Sequence, residues 1–255
     1  MPQYKEVKLN FLWDKTLVRL GQNPSKWVKT PDQERIMGLL VKEMEALLSP
    51  AMAFNSSYIA EVLPSGIKLT TGHFLESPVV AELFGEAEEI VLLVYTIGPL
   101  LEEKVKGYSQ KGLIVESYYL DFLGSLAVTE VGRIAYDIIE KQGKERNLKA
   151  SIPLNPGTTH WPSSGQKVVL DLSGGRDIGI TMSDSFILIP TKTISMAIAL
   201  GKNILTPQEG SSCDYCDNPS LCWGTQKKNK SLATEGTENT ELNHFSVSSM
   251  FSVAK

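Results

Sequence analysis

All three cysteines of the chain fall close together, as Cys213-x2-Cys216-x5-Cys222. Two thiolates at the C-x2-C spacing can hold one metal ion, and a third nearby makes a partial ligand set. Zinc and iron–sulfur centres ordinarily take four ligands. His160, His73, an aspartate or an exogenous group could complete such a site; free thiols in a turn are the other reading. The spacing is not that of a disulfide framework. A second candidate is the segment Pro153-Leu154-Asn155-Pro156-Gly157-Thr158-Thr159-His160-Trp161-Pro162. Its prolines fix φ and Gly157 tolerates φ > 0, so a stiff loop carrying one imidazole is expected. A stiff loop ahead of packed strands is a common frame for a ligand site, and ordinary connectors are built the same way. The third candidate is a pair of acids, Asp121 and Glu130, inside a long apolar stretch. Either could line a site, or each could be a partly exposed helical acid. His73 reads as a surface or capping residue, and His244 lies in a polar tail. No Gly-x-Ser-x-Gly, P-loop or Gly-x-Gly-x-x-Gly is present, so hydrolase, NTPase and dinucleotide-binding readings lack support.

The elements that would position these residues follow from periodicity and punctuation. A strand-like opening leads to a helix that ends at Leu17-Val18-Arg19-Leu20, with Gly21 past it. Thr30-Pro31-Asp32-Gln33 is a capping box with proline at the first helical position. Ile36, Leu40, Met44, Leu47 and Leu48 then recur at helical spacing until Ser49-Pro50. Tyr58 to Leu63 and Ile67 to Leu69 flank Pro64-Ser65-Gly66, a hairpin signal. Ser77-Pro78 opens a helix that runs through Phe84 and stops at Gly85. Glu89 to Thr96 is a continuous β-branched and apolar run, which predicts a strand buried on both faces. Ile97-Gly98-Pro99 turns it into a helix whose early Glu102 and Glu103 suit the positive helix start. That start could hold an anion or be a plain strand-to-helix corner.

The longest helix is expected over about Val115 to Lys141, with Leu120, Leu123, Ala127, Val131, Ile134 and Ile138 as its apolar stripe. Glu130 falls at the edge of that stripe. Gly124, Ser125, Ala127 and Gly132 would let a neighbour approach closely. A helix-interior glycine costs about 1 kcal/mol relative to alanine, so each implies a packing or ligand reason. After the proline-rich loop come an amphipathic segment, Gln166 to Leu172, and the break Gly174-Gly175. Strand-like runs follow at Ile178 to Met182, Phe186 to Ile189 and Thr193 to Leu200.

The chain has 255 residues, 42% hydrophobic and 21% charged, enough to build a sizeable core. Its net charge of −4, with no basic stripe, argues against nucleic-acid binding through phosphates. No apolar run is long enough to span a bilayer, and charges interrupt the first fifteen residues, so a cytoplasmic location is expected. One domain over residues 1–224 and a polar tail over 225–255 are expected.

The order of pieces resembles a known family. It consists of Leu20-Gly21, Thr96-Ile97-Gly98, Asp121-Phe122-Leu123-Gly124-Ser125 with Glu130, Asn155-Pro156-Gly157, Trp161-Pro162, Ile178-Gly179-Ile180-Thr181, and Ile189-Pro190-Thr191-Lys192-Thr193-Ile194-Ser195. Over roughly residues 10 to 222 this looks like the activation (reactivation) domain of vitamin B12-dependent methionine synthase, in a stand-alone form. The resemblance implies an α+β fold, a C-shaped domain with a twisted antiparallel sheet and surrounding helices. It implies S-adenosylmethionine as ligand and reductive methylation of cobalamin as the activity. The cobalamin would sit on a corrinoid-binding partner or methionine synthase module, since this sequence has no Asp-x-His-x-x-Gly of its own.

Carried onto this chain, the ligand-binding set is Glu130, Asp121, Asn155, Pro156, Gly157, Thr158 and His160. Cys213, Cys216 and Cys222 are the candidate zinc or iron–sulfur ligands. Two positions depart from the family. Pro153 stands where an arginine usually meets the ligand's carboxylate, and Thr158 where a tyrosine often follows the glycine. Loss of a bidentate carboxylate contact is worth about 1.5–3 kcal/mol, roughly one to two decades of affinity. Two alternatives to the family's activity are a non-catalytic docking or assembly factor for a corrinoid methyltransferase, and a cysteine-cluster metal or redox module.

Overall fold

The computed structural model describes residues 1–215. In chain order the elements are β1 (Gln3–Glu6), α1 (Trp13–Arg19), α2 (Pro31–Glu45), β2 (Ala51–Ser57), β3 (Ile59–Leu63), β4 (Gly66–Leu69), β5 (Phe74–Glu76), α3 (Pro78–Phe84) and β6 (Glu89–Thr96). Then follow α4 (Leu100–Gln110), α5 (Ile114–Lys144), β7 (Lys149–Ala150), α6 (Gly165–Ser173), β8 (Thr181–Met182), β9 (Leu188–Ile189) and β10 (Thr193–Gly201). Five strands form one sheet in the order β1-β2-β6-β10-β7, and β3-β4-β5 and β8-β9 form two smaller sheets. The pairings β1–β2, β10–β7, β3–β4, β4–β5 and β8–β9 are antiparallel, and the fold is α+β with a curled antiparallel sheet, as expected. No helix among the described residues is long and apolar enough to cross a membrane. The tail 225–255 lies outside the described residues.

The chain divides into two compact units. The first comprises Met1–Ser56, Leu92–Ile139 and Gln166–Met196. Its framework begins with α2, where Thr30 Oγ1 accepts from Gln33 N at 3.2 Å while Gln33 Oε1 accepts from Thr30 N at 3.2 Å. This reciprocal cap fixes the helix start and is worth about 1 kcal/mol. Met37, Leu40 and Met44 form the buried face of α2. Ser49 N then donates to Ile97 O at 3.0 Å. Gly98 has φ +83°, and Ser49 Oγ occupies the place a Cβ would need. The turn after β6 is therefore a packing corner. Glu102, in the first turn of α4, accepts from Thr191 N at 2.6 Å and from Thr191 Oγ1 at 2.5 Å.

The middle of α5 is buried all round, with every residue from 122 to 132 inside. The expected stripe holds at Leu120, Leu123, Ala127 and Val131 but not beyond. Ile134 and Ile138 are only half-buried, and Ala135, Tyr136 and Ile139 take the inner face. The helix's 3.6-residue period has carried the buried face round by that point. Both central glycines have packing causes. A Cβ on Gly124 would stand 2.6 Å from Leu101 Cδ2, and one on Gly132 would collide with the hydroxyl of Tyr95. Tyr95 belongs to β6, whose eight residues are all buried. Burial holds the Tyr95 hydroxyl far above its ordinary pKa, so it stays a neutral phenol.

The second unit comprises Ser57–Val91, Glu140–Gly165 and the described residues from Ala197 onward. The predicted hairpin is β3 and β4, joined through Pro64-Ser65 with Leu63 opposite Gly66. Ser77 caps α3, accepting from Val80 N at 3.0 Å. Glu89, 4% exposed, is paired with Arg146. That pairing is what permits a carboxylate to be buried there.

Two expected strands are much shorter than predicted. Gly175–Ile178 is a 3-10 turn closed by Gly179 at φ +81°, which leaves only Thr181–Met182 to pair with Leu188–Ile189. A left-handed glycine ends a strand whatever the hydropathy around it.

The crowding at Gly132 sets a sign. Alanine gains about 1 kcal/mol of helix propensity there. Overpacking against a ring with no room to move costs about 1–3 kcal/mol. Gly132→Ala is expected to lower stability in urea unfolding, and Gly107→Ala, where a Cβ meets nothing within 4 Å, to raise it or leave it unchanged. A Gly132→Ala protein as stable as the parent would contradict this packing.

Candidate functional site

Two groups of candidate residues are built by separate local logic. The first is on α5. Glu130 is 5% exposed, so it is neither at the edge of a stripe nor partly solvated. Its carboxylate is gripped from two sides. Arg19, the last residue of α1, reaches Glu130 Oε2 at 3.0 Å. Arg133, one turn along α5, donates from Nε to Glu130 Oε1 at 3.0 Å, and its Nη2 lies equally close. Arg133 Nη1 also meets Asp137 Oδ2 at 2.5 Å. Burial disfavours the Arg133 cation, but the Glu130 carboxylate and then Asp137 outweigh it and hold the guanidinium above its ordinary value. Two acids and two arginines leave this cluster formally neutral.

Asp121 sits two turns earlier on α5 and is half-exposed, with Lys192 Nζ at 2.9 Å. The same Nζ donates to Ser125 Oγ at 2.8 Å, and Lys192's side chain is only 16% exposed. Asp121 and Ser125, four residues apart on α5, together seat this lysine. Of these partners only Arg133 is visible in the sequence, at i+3 from Glu130; Lys192 is far from Asp121 along the chain. Arg19 has no local signal, because it lies 111 positions away on another helix.

The second group is the proline-rich loop. Its stem, Ser151 to Leu154, runs against β10: Ser151 N donates to Ala199 O at 2.9 Å, and Leu154 and Ala197 exchange bonds of 3.0 and 2.8 Å. Gly157, at φ +87°, donates its N–H to Trp161 O at 2.8 Å and closes the turn. Thr158 Oγ1 donates to Asn155 O at 2.7 Å. The hydroxyl's single proton is thereby used, so His160 Nε2, 3.0 Å away, is the donor to Thr158. His160 O in turn accepts from Ser77 Oγ at 2.7 Å, which ties the loop to the cap of α3. Trp161 is 1% exposed, and its Nε1 has no hydrogen-bond acceptor among the described residues. A Cβ on Gly165 would collide with that nitrogen. Asn155, Thr158 and His160 are therefore brought together in one hydrogen-bonded turn, with Pro156 packed inside.

Of the cysteine cluster, Cys213 is half-buried in a 3-10 turn, Ser212–Tyr215, with its N–H bonded to Ser211 Oγ at 3.2 Å. Cys216 and Cys222 lie outside the described residues. Among the described residues no group of three or more His, Cys, Asp or Glu side chains is arranged to hold a metal ion.

The ion pairs on Glu130 generate a stability prediction. Glu130→Ala leaves Arg19 and Arg133 without their shared acceptor. Breaking a fully buried pair costs about 3–5 kcal/mol. Both guanidiniums are at least one-third exposed, so a loss of about 2 kcal/mol is expected. Arg19→Ala should lose less, because Arg133 still holds the acid. Equal stability of Glu130→Ala and parent in urea would show that the cluster carries no structural weight.

No family model and no curated protein matches the sequence. Among solved structures, a crystal structure of the MetH reactivation domain bound to AdoHcy superposes with a TM-score of 0.57. The match covers 78% of this chain and 78% of that one, at 11% sequence identity. The chain therefore shares the fold of the MetH reactivation domain, the fold expected from the order of its motifs.

Proposed function

We propose that the chain binds an S-adenosylmethionine-type ligand and supports reductive methylation, and so reactivation, of cobalamin carried by a corrinoid partner, with one electron from a separate donor and S-adenosylhomocysteine as the leaving group. The observation that carries this reading is the shared fold with a reactivation domain bound to AdoHcy. The residues present are compatible with such a ligand. Gly157 holds a backbone conformation that residues with side chains rarely adopt, and Trp161 keeps a buried N–H with no acceptor among the described residues. S-adenosylmethionine, when bound, supplies a methyl carbon made electrophilic by its sulfonium.

The chain's own task is then placement. Gly157 lets the main chain approach the ligand without a Cβ in the way. Asn155, Pro156, Thr158 and His160 fix the turn that presents it. Glu130 and Asp121 belong to the first unit, where their partners Arg19, Arg133 and Lys192 hold α5 in position. No side-chain acid or base is required, because orientation of a reactive methyl group is itself a large rate effect.

A second reading is favoured by one observation: Glu130 is already engaged by two arginines. With Pro153 and Thr158 at the altered positions, the chain would then be a docking or assembly factor for a corrinoid methyltransferase, needing no ligand. A cysteine-cluster zinc or iron–sulfur centre could accompany either role as a redox module.

Calorimetry separates the two. The first reading predicts saturable heat with S-adenosylmethionine or S-adenosylhomocysteine, weakened about ten-fold or more by Gly157→Ala, in a variant whose thermal unfolding confirms folding. No heat at millimolar ligand, together with ligand-independent capture of a corrinoid protein, would leave the docking role in its place.

A further inference from the structure

We propose a second ligand site in the first unit, for a planar aromatic anion of nucleotide size, in a groove beside the loop that joins α1 to α2. The groove is shallow and open to solvent, with a volume of about 430 Å³, a size that small-molecule sites also have. Its aromatic wall is Trp27, Tyr118 and Tyr119. Trp27 is stacked on Phe122, with centroids 4.2 Å apart and an interplanar angle of 18°. Its carbonyl accepts from the Tyr119 hydroxyl at 3.1 Å. Two of the three rings are thereby fixed before any ligand arrives. Tyr118 stands edge-on to Tyr119, at 5.6 Å, and is 58% exposed. An exposed ring beside two anchored ones offers a stacking surface with little ordering cost.

The remaining lining is Gln22, Lys26, Lys29 and Gln33. Neither lysine has a carboxylate within ion-pair distance among the described residues, and no acid lines the groove. Gln33 uses its Oε1 to accept from Lys29 N at 2.8 Å and from Thr30 N. Its amide nitrogen is left as a donor. The polar side of the groove therefore consists of two cations and carboxamide donors, in a protein whose net charge is negative. Aromatic faces with unpaired ammonium groups select a ligand that is flat at one end and anionic at the other. A nucleoside monophosphate has that form. The site draws only on residues of the first unit and does not rest on the function proposed above.

The test is titration of the full chain with adenosine 5′-monophosphate, followed by calorimetry or by amide chemical shifts. Adenosine and inorganic phosphate are the control probes. The nucleotide should bind saturably, at about 0.1–1 mM, with adenosine and phosphate each weaker by about ten-fold or more. Tyr118→Ala and the double variant Lys26→Ala/Lys29→Ala should each weaken the nucleotide by about five-fold or more. Tyr118→Phe should retain it. These side chains are exposed, so unchanged thermal unfolding midpoints should accompany the loss. Saturating S-adenosylhomocysteine should leave nucleotide affinity unaltered. No saturable binding, phosphate binding as well as the nucleotide, indifference to the Tyr118 and lysine variants, or displacement by S-adenosylhomocysteine would each overturn the proposal.

Discussion

A carboxylate inside a helix surrounded by apolar side chains is the constraint on which the first unit depends. Burial of such a group without partners is prohibitively costly. Glu130 is accommodated because α1 ends where its last residue, Arg19, can reach it, and because Arg133 follows one turn later. This requirement fixes which face of α5 meets α1. Turning α5 away from Arg19 would take one of the two arginines from the buried acid. The all-round burial from 122 to 132 then follows, and it in turn demands Gly132 against Tyr95 and Gly124 against Leu101. One ionic cluster and two missing side chains thus set the geometry of the longest helix.

Much of the architecture was legible in the sequence because its signals are local. The capping box at Thr30, the Ser77-Pro78 helix start, the Pro64-Ser65 turn and the apolar run of β6 each specify their own backbone. The order of motifs pointed to the reactivation-domain fold, which the structure bears out at only 11% identity. What was not legible depends on distant partners. Nothing near Glu130 announces Arg19, and nothing near Asp121 announces Lys192. The expected strand from Ile178 failed because Gly179 takes a left-handed conformation, and periodicity is blind to that. Periodicity along α5 reports where apolar residues recur. It cannot report that small and polar residues between them are also enclosed, as Ser125, Thr129 and Glu130 are.

The proline-rich loop is built on a different principle. Its order comes from main-chain bonds to β10, a threonine–histidine contact and a serine shared with the cap of α3. Its side chains largely serve its own shape: Thr158 spends its proton on Asn155, and His160 spends its Nε2 proton on Thr158. This suits a loop whose work is to hold a backbone surface against a ligand rather than to transfer protons. It also explains how arginine and tyrosine could be absent at Pro153 and Thr158 without loss of the turn itself. The consequence would fall on affinity, not on folding.

Hydrogen exchange of the intact chain with and without S-adenosylhomocysteine tests this account most directly. If the loop grips such a ligand, amides between residues 154 and 161 should exchange more slowly by about ten-fold at saturation, while those of the β3–β4 hairpin stay unchanged. Identical exchange in the loop at millimolar ligand would contradict it.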